Sequence, residues 1–101
     1  MRIEWSLLAL ERILELAEFR FPDDEARAQA WMGQVLRYAE RLGRFPHMGA
    51  PVSSREEQNL RRLLFKDVWI VYEVREGSEE AAPYVLVLTV RHVREKPEDD
   101  L

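Results

Sequence analysis

The stretch NLRRLLFKDVWIVYEV (residues 59–74), with YVLVLTVRHVRE following at residues 84–95, decides the fold of this chain. Leu60 and Leu64, then Val68, Ile70, Tyr72 and Val74, then Val85, Val87 and Thr89 follow a period of two and are rich in β-branched residues. That pattern belongs to strands with one face on a core. It predicts strands over about Asn59–Lys66, Val68–Arg75 and Tyr84–Arg91. The connections are short, so the three form an antiparallel meander. Basic residues placed around these strands equip the sheet to meet a phosphate-rich or acidic partner.

Upstream the period changes. Residues 2–5 (RIEW) form a short alternating segment, and Ser6 is a good helix N-cap. From Leu7 to about Arg20, Leu7, Leu10, Ile13, Leu14, Ala17 and Phe21 recur at helical spacing. Pro22 ends that helix, and Asp23 or Asp24 can cap the next. The second helix is expected over about Glu25–Leu42, with Ala28, Trp31, Met32, Val35, Leu36, Ala39 and Leu42 as its apolar stripe and Gly43 as its C-terminal stop. So short a turn makes the two helices an antiparallel hairpin. Residues 44–57 hold two prolines, a glycine and two serines and read as an ordered loop. The fold class is therefore α+β, in the order β-α-α-β-β-β, with an N-terminal strand and a helical hairpin packed on an antiparallel sheet. Residues 1–96 form a single domain, and the charged segment 97–101 reads as a frayed tail.

Composition narrows the chemistry. At 101 residues and 47% hydrophobic, the chain carries one globular core. Cysteine is absent, so thiolate metal sites and thiol nucleophiles are excluded, and the two histidines, His47 and His92, do not make a metal motif. No cofactor or metal is expected. No apolar run approaches the ~20 residues of a membrane span, and the N-terminus lacks a signal pattern, so a soluble cytoplasmic protein is expected. A net charge of −4 argues against direct DNA binding by this chain alone. The charge is uneven, however. Arg41, Arg44, Arg55, Arg61, Arg62, Lys66, Arg91 and Arg94 gather in the central loop and on the strands.

Five segments in register carry a resemblance to a known family: IEWSLLALERI at the start, FPHMG (residues 45–49), RRLLF, WIVYEV (residues 69–74) and VRHVRE (residues 90–95). Together they resemble the RelE/ParE superfamily of bacterial toxins from type II toxin–antitoxin systems, over Ile3 to about Lys96. The P-x-x-G loop, the R-x-L strand and the H-x-R ending favour the ParE-like branch. The resemblance implies a toxin neutralised by a cognate antitoxin. ParE-like members poison DNA gyrase, whereas RelE-like members cleave mRNA at the ribosome.

A ribonuclease of the second kind needs a base, an acid and a cation for the pentavalent phosphate. The candidates are Arg61, Arg62, Lys66, Tyr72, His92 and Arg94, and a reduced catalytic set would be Arg61, His92 and Arg94. Departures from the nuclease pattern count against it. Trp69 stands where such enzymes carry an arginine, Val68 replaces the preceding tyrosine, no lysine pair flanks Arg61, and the tail EKPEDDL offers no late tyrosine. Each missing donor at a developing phosphorane costs on the order of 3 kcal/mol. Ala50 also replaces the arginine that often follows the loop glycine. The expected activity is therefore binding of a protein target such as DNA gyrase, through Arg61, Arg62, Trp69 and Arg94, rather than catalysis. The alternatives are a ribosome-dependent mRNA endonuclease and a non-toxic orphan that only forms a complex with its antitoxin.

Plainer roles stand beside these. Arg61 or Arg62 could pair with Glu73 or Glu4, His92 could bond a neighbouring backbone group, and Trp31 and Met32 are core material. Trp69 suits either a core or a contact surface, and His47 reads as exposed.

Overall fold

The structure, a computed structural model, describes residues 1–52 and 59–95. Strand β1 (Arg2–Trp5) leads into helices α1 (Leu7–Arg20) and α2 (Glu25–Ala39), and a 3-10 turn (Glu40–Gly43) follows. Strands β2 (Ala50–Pro51), β3 (Leu60–Phe65), β4 (Val68–Arg75) and β5 (Tyr84–His92) complete the chain. The α+β class and the antiparallel β3–β4–β5 meander are as the alternation predicts. Two features were not foreseen. The loop contributes a two-residue strand, β2, on β3, and β1 pairs in parallel with β5, giving the sheet order β1-β5-β4-β3-β2. The tail expected to fray beyond residue 96 lies outside the described residues, as does Arg55.

Ser6 joins the sheet to the helices. Its hydroxyl accepts the Ala9 N–H at 3.0 Å, capping α1, and donates to the Leu88 carbonyl at 2.8 Å. Leu88 is the extra residue of a β-bulge: Val71 pairs with Thr89 while the adjacent Tyr72 pairs with Val87. The bulge frees the Leu88 carbonyl from the ladder, and Ser6 takes it up. The Ser6 N–H meanwhile bonds the Val87 carbonyl at 2.9 Å, so β1 ends and α1 begins at a fixed point on β5.

The core lies between the helices and one face of the sheet. Ala9, Ile13, Leu16 and Ala17 of α1 and Ala28, Trp31, Val35 and Ala39 of α2 meet Leu63, Val68, Ile70, Tyr72, Val85, Val87 and Val90. The stripe read for α1 needs correction. Leu7, Leu10 and Leu14 are 72%, 42% and 54% exposed, and the buried face is turned toward Ala9 and Leu16 instead. Two alanines let α1 approach the sheet closely, and the helix keeps Leu7, Leu10 and Leu14 outward. On α2, Trp31 and Val35 are core as expected, while Met32 is half-buried and Leu36 exposed.

Helix α2 also stops earlier than expected and tightens into the 3-10 turn. Gly43 has no positive φ, so it is not a left-handed cap. Its role is close approach: a Cβ there would lie 2.6 Å from the Met1 carbonyl oxygen, and the Met1 ammonium donates to the Gly43 carbonyl at 2.7 Å.

Candidate functional site

The sheet distributes the basic candidates over three places. The first is the loop after the 3-10 turn. Arg61 lies on β3 opposite Tyr72, and its Nη1 donates to the Gly49 carbonyl at 2.8 Å and to the His47 carbonyl at 3.2 Å. The Tyr72 phenol donates to the Pro46 carbonyl at 2.8 Å and accepts the Gly49 N–H at 2.9 Å. Burial pushes the Tyr72 phenol above its ordinary value, opposed by the Gly49 N–H bond and the charge of Arg61. These two side chains fasten the FPHMG loop to the sheet. The ion pairs considered for Arg61 are absent: Glu73 pairs with Arg75, and Glu4 pairs with Arg2.

The second place is the sheet face turned away from the helices. Alternation on β3 and β4 puts Arg62 and Trp69 there, with the Arg62 guanidinium 4.3 Å from the Trp69 ring centroid. Arg62 is exposed and Trp69 half-buried. Arg91 pairs with Trp69 across the ladder and is buried, so the indole sits between two arginine-bearing strands.

The third is the far end of β5. His92 Nε2 lies 3.2 Å from Asp67 Oδ2, and its Nδ1 accepts the Arg94 N–H at 3.0 Å. Asp67, in the two-residue turn between β3 and β4, also accepts from Arg20 of α1. The Arg20 hydrogen bond holds the Asp67 carboxyl below the usual carboxylate range, against the opposing effect of burial. Arg20 stacks on Trp31, 4.8 Å from the ring centroid. A groove of about 780 Å³ opens beside this cluster, lined by Arg12, Leu16, Phe19, Arg20, His92 and Arg94 among others. The Arg94 side chain makes no ion pair among the described residues.

The structure thus brings Arg62 together with Trp69, and His92 together with Arg94, but keeps Arg61 apart from His92. Arg61 pairs with Tyr72 while His92 pairs with Val68, four residues along β4. That is about 13 Å of strand, before the spacing between strands is added. Sequence reasoning missed Asp67, Arg20 and Phe19. Only Asp67 left a sequence trace, as a turn residue between two strands.

With this geometry in hand, the chain can be set against known families. The family described as ParE toxin of type II toxin-antitoxin system, parDE, matches residues 3–97. The chain belongs to the ParE toxin family. Its β-α-α-β-β-β order and its loop, strand and ending motifs are those on which the resemblance rested. No curated protein matches the chain closely. Within the ParE framework, the loop motif has a physical account here: Gly49 is buried beneath Tyr72, and a Cβ on it would lie 2.7 Å from both the Tyr72 hydroxyl and the Arg62 carbonyl oxygen. Among the described residues, no cluster of His, Cys, Asp or Glu could hold a metal, and no helix is long and apolar enough to cross a membrane.

Proposed function

We propose that this ParE-family toxin acts by binding a protein target, with DNA gyrase the leading candidate, and that an antitoxin holds it inactive. The observation that carries this reading is how the polar candidates are used. Arg61 and Tyr72 hold a loop, and both ring nitrogens of His92 already have partners. Among the described residues, Arg61 stands about 13 Å of strand away from His92, so the set Arg61, His92 and Arg94 does not meet at one phosphate, as strand scission by these residues would require. Arg62 with Trp69, and Arg94 at the groove rim, remain as surfaces for docking. An aromatic ring with a stacked guanidinium is a common anchor in protein interfaces.

For the antitoxin, the outward leucines of α1 offer an apolar stripe of Leu7, Leu10 and Leu14. An amphipathic helix could lay its own apolar face on it.

The direct test is a supercoiling assay with purified gyrase. Inhibition of supercoiling, or accumulation of cleaved DNA, is the expected result. An unaffected enzyme removes gyrase as the target. Codon-linked cuts in a primer-extension assay on translated mRNA would instead establish the endonuclease reading, and normal growth on expression of the toxin alone would establish a non-toxic role.

A further inference from the structure

The turn after β5 is held by a histidine in one protonation state. The Arg94 N–H donates to His92 Nδ1 at 3.0 Å, so that nitrogen carries a lone pair. Nε2 must then carry the proton, and it faces Asp67 Oδ2 at 3.2 Å. Three further bonds complete the turn. The Val93 N–H bonds the Asp67 carbonyl at 2.9 Å, the Glu95 N–H bonds the His92 carbonyl at 3.0 Å, and the His92 N–H bonds Glu95 Oε1 at 3.3 Å. Glu95 is in turn paired with Arg12 of α1. One imidazole therefore ties the β3–β4 turn, the end of β5 and the wall of the groove.

We propose that protonation of His92 releases this turn, making the presentation of Arg94 and the opening of the groove sensitive to pH. A proton on Nδ1 replaces an acceptor by a donor that points at another N–H, so the Arg94 bond is lost and the two groups repel. The imidazolium at the same time strengthens its bond to Asp67 and competes with Arg20 for that carboxylate. The neighbouring charges are Arg12, Glu15 and Arg20 on α1, Asp67 on the β3–β4 turn, and Arg94 and Glu95 on the turn itself. Among the described residues these are three positive and three negative groups, and the Arg94 hydrogen bond is the contact that requires a lone pair on Nδ1. An imidazole is the side chain suited to switch between about pH 5 and 8. Once the turn opens, Arg12 loses Glu95, and Arg94 can move away from the groove rim.

The test is nitrogen-detected NMR on the full chain from pH 8 to pH 5. At pH 8 the His92 ring is expected as the Nε2–H tautomer. As it protonates, the Arg94 amide resonance loses its hydrogen-bonded shift with the same midpoint, and the β5 amides before His92 stay in place. His47, which is exposed, serves as the internal titration control. The variant His92→Gln is expected to abolish the pH dependence of the Arg94 amide. An Arg94 amide that stays fixed while His92 titrates overturns the proposal, as does an unchanged transition in His92→Gln. Neither outcome depends on any cellular target, so the result is independent of the gyrase assay.

Discussion

The Tyr72 hydroxyl and Gly49 form a closed contact in which each defines the other. The phenol accepts the Gly49 N–H at 2.9 Å, and the absence of a Gly49 side chain is what admits the ring, since a Cβ would lie 2.7 Å from that oxygen. The loop glycine and the strand tyrosine are thus one structural unit. Tyr72→Phe removes the acceptor for a buried N–H and the donor to the Pro46 carbonyl. It is expected to cost about 1–3 kcal/mol. Gly49→Ala should cost at least as much, because backbone on one side and a fully buried ring on the other must move. Urea denaturation of both variants checks this.

The same phenol gives the chain an alkaline limit. Burial raises the folded-state pKa of Tyr72 above its ordinary value of 10.0. A group with a raised folded pKa contributes stability that is complete below the unfolded value and is lost as pH rises through the folded one. Stability is therefore expected to fall above about pH 10, and the fall should be smaller in Tyr72→Phe. Denaturation midpoints between pH 8 and 11 give the comparison.

Asp67 acts with the opposite sign. Arg20 holds its folded pKa below the ordinary 3.8. The stability it contributes is present above the unfolded value and is lost as pH falls through the folded one. Asp67→Asn should lower stability at neutral pH and flatten the acid limb of the profile below about pH 4. The carboxylate is 41% exposed, so salt should weaken the effect. Thermal melts from pH 2 to 7, at low and high salt, test both statements.

Strand alternation made the meander legible, because period two with β-branched residues has few other solutions, and β4 has the bounds read for it. The parallel β1–β5 pairing was not legible. Four residues of β1 carry no partner information, and the pairing depends on Ser6 finding a carbonyl freed by a bulge. The face of α1 was misread in part for a related reason. Ile13 and Ala17 are buried as read, but Leu7, Leu10 and Leu14 outrank Ala9 in hydrophobicity, whereas close approach to a sheet selects small residues. Within the site, the plain reading of His92 as a partner of nearby backbone holds, through the Arg94 N–H. The role of Arg61 depended on carbonyls of a loop whose path no side-chain pattern encodes.

The outward stripe of α1 leads to a prediction about the antitoxin. Leu10→Glu and Leu14→Glu replace side chains that are 42% and 54% exposed, so the fold should survive with little change in melting temperature. An antitoxin helix seated on the stripe would lose about 1.5 kcal/mol or more of apolar burial per site. That corresponds to roughly tenfold weaker binding. Calorimetric titration with the cognate antitoxin measures it, and unchanged affinity places the antitoxin elsewhere on the molecule.

Arg61 and Arg94 should separate when tested singly. Arg61→Ala releases two loop carbonyls and is expected to lower stability by about 1–2 kcal/mol, since hydrogen bonds to charged groups contribute at the upper end of the usual range. Any loss of toxicity would then come with a loosened loop. Arg94→Ala removes a side chain without an ion-pair partner among the described residues, so the melting temperature should hold. If Arg94 contacts the target, toxicity should still fall. A growth assay paired with thermal melts of each purified variant resolves the two roles. Full toxicity in Arg94→Ala would remove that arginine from the target surface and leave Arg62 with Trp69 as the remaining contact.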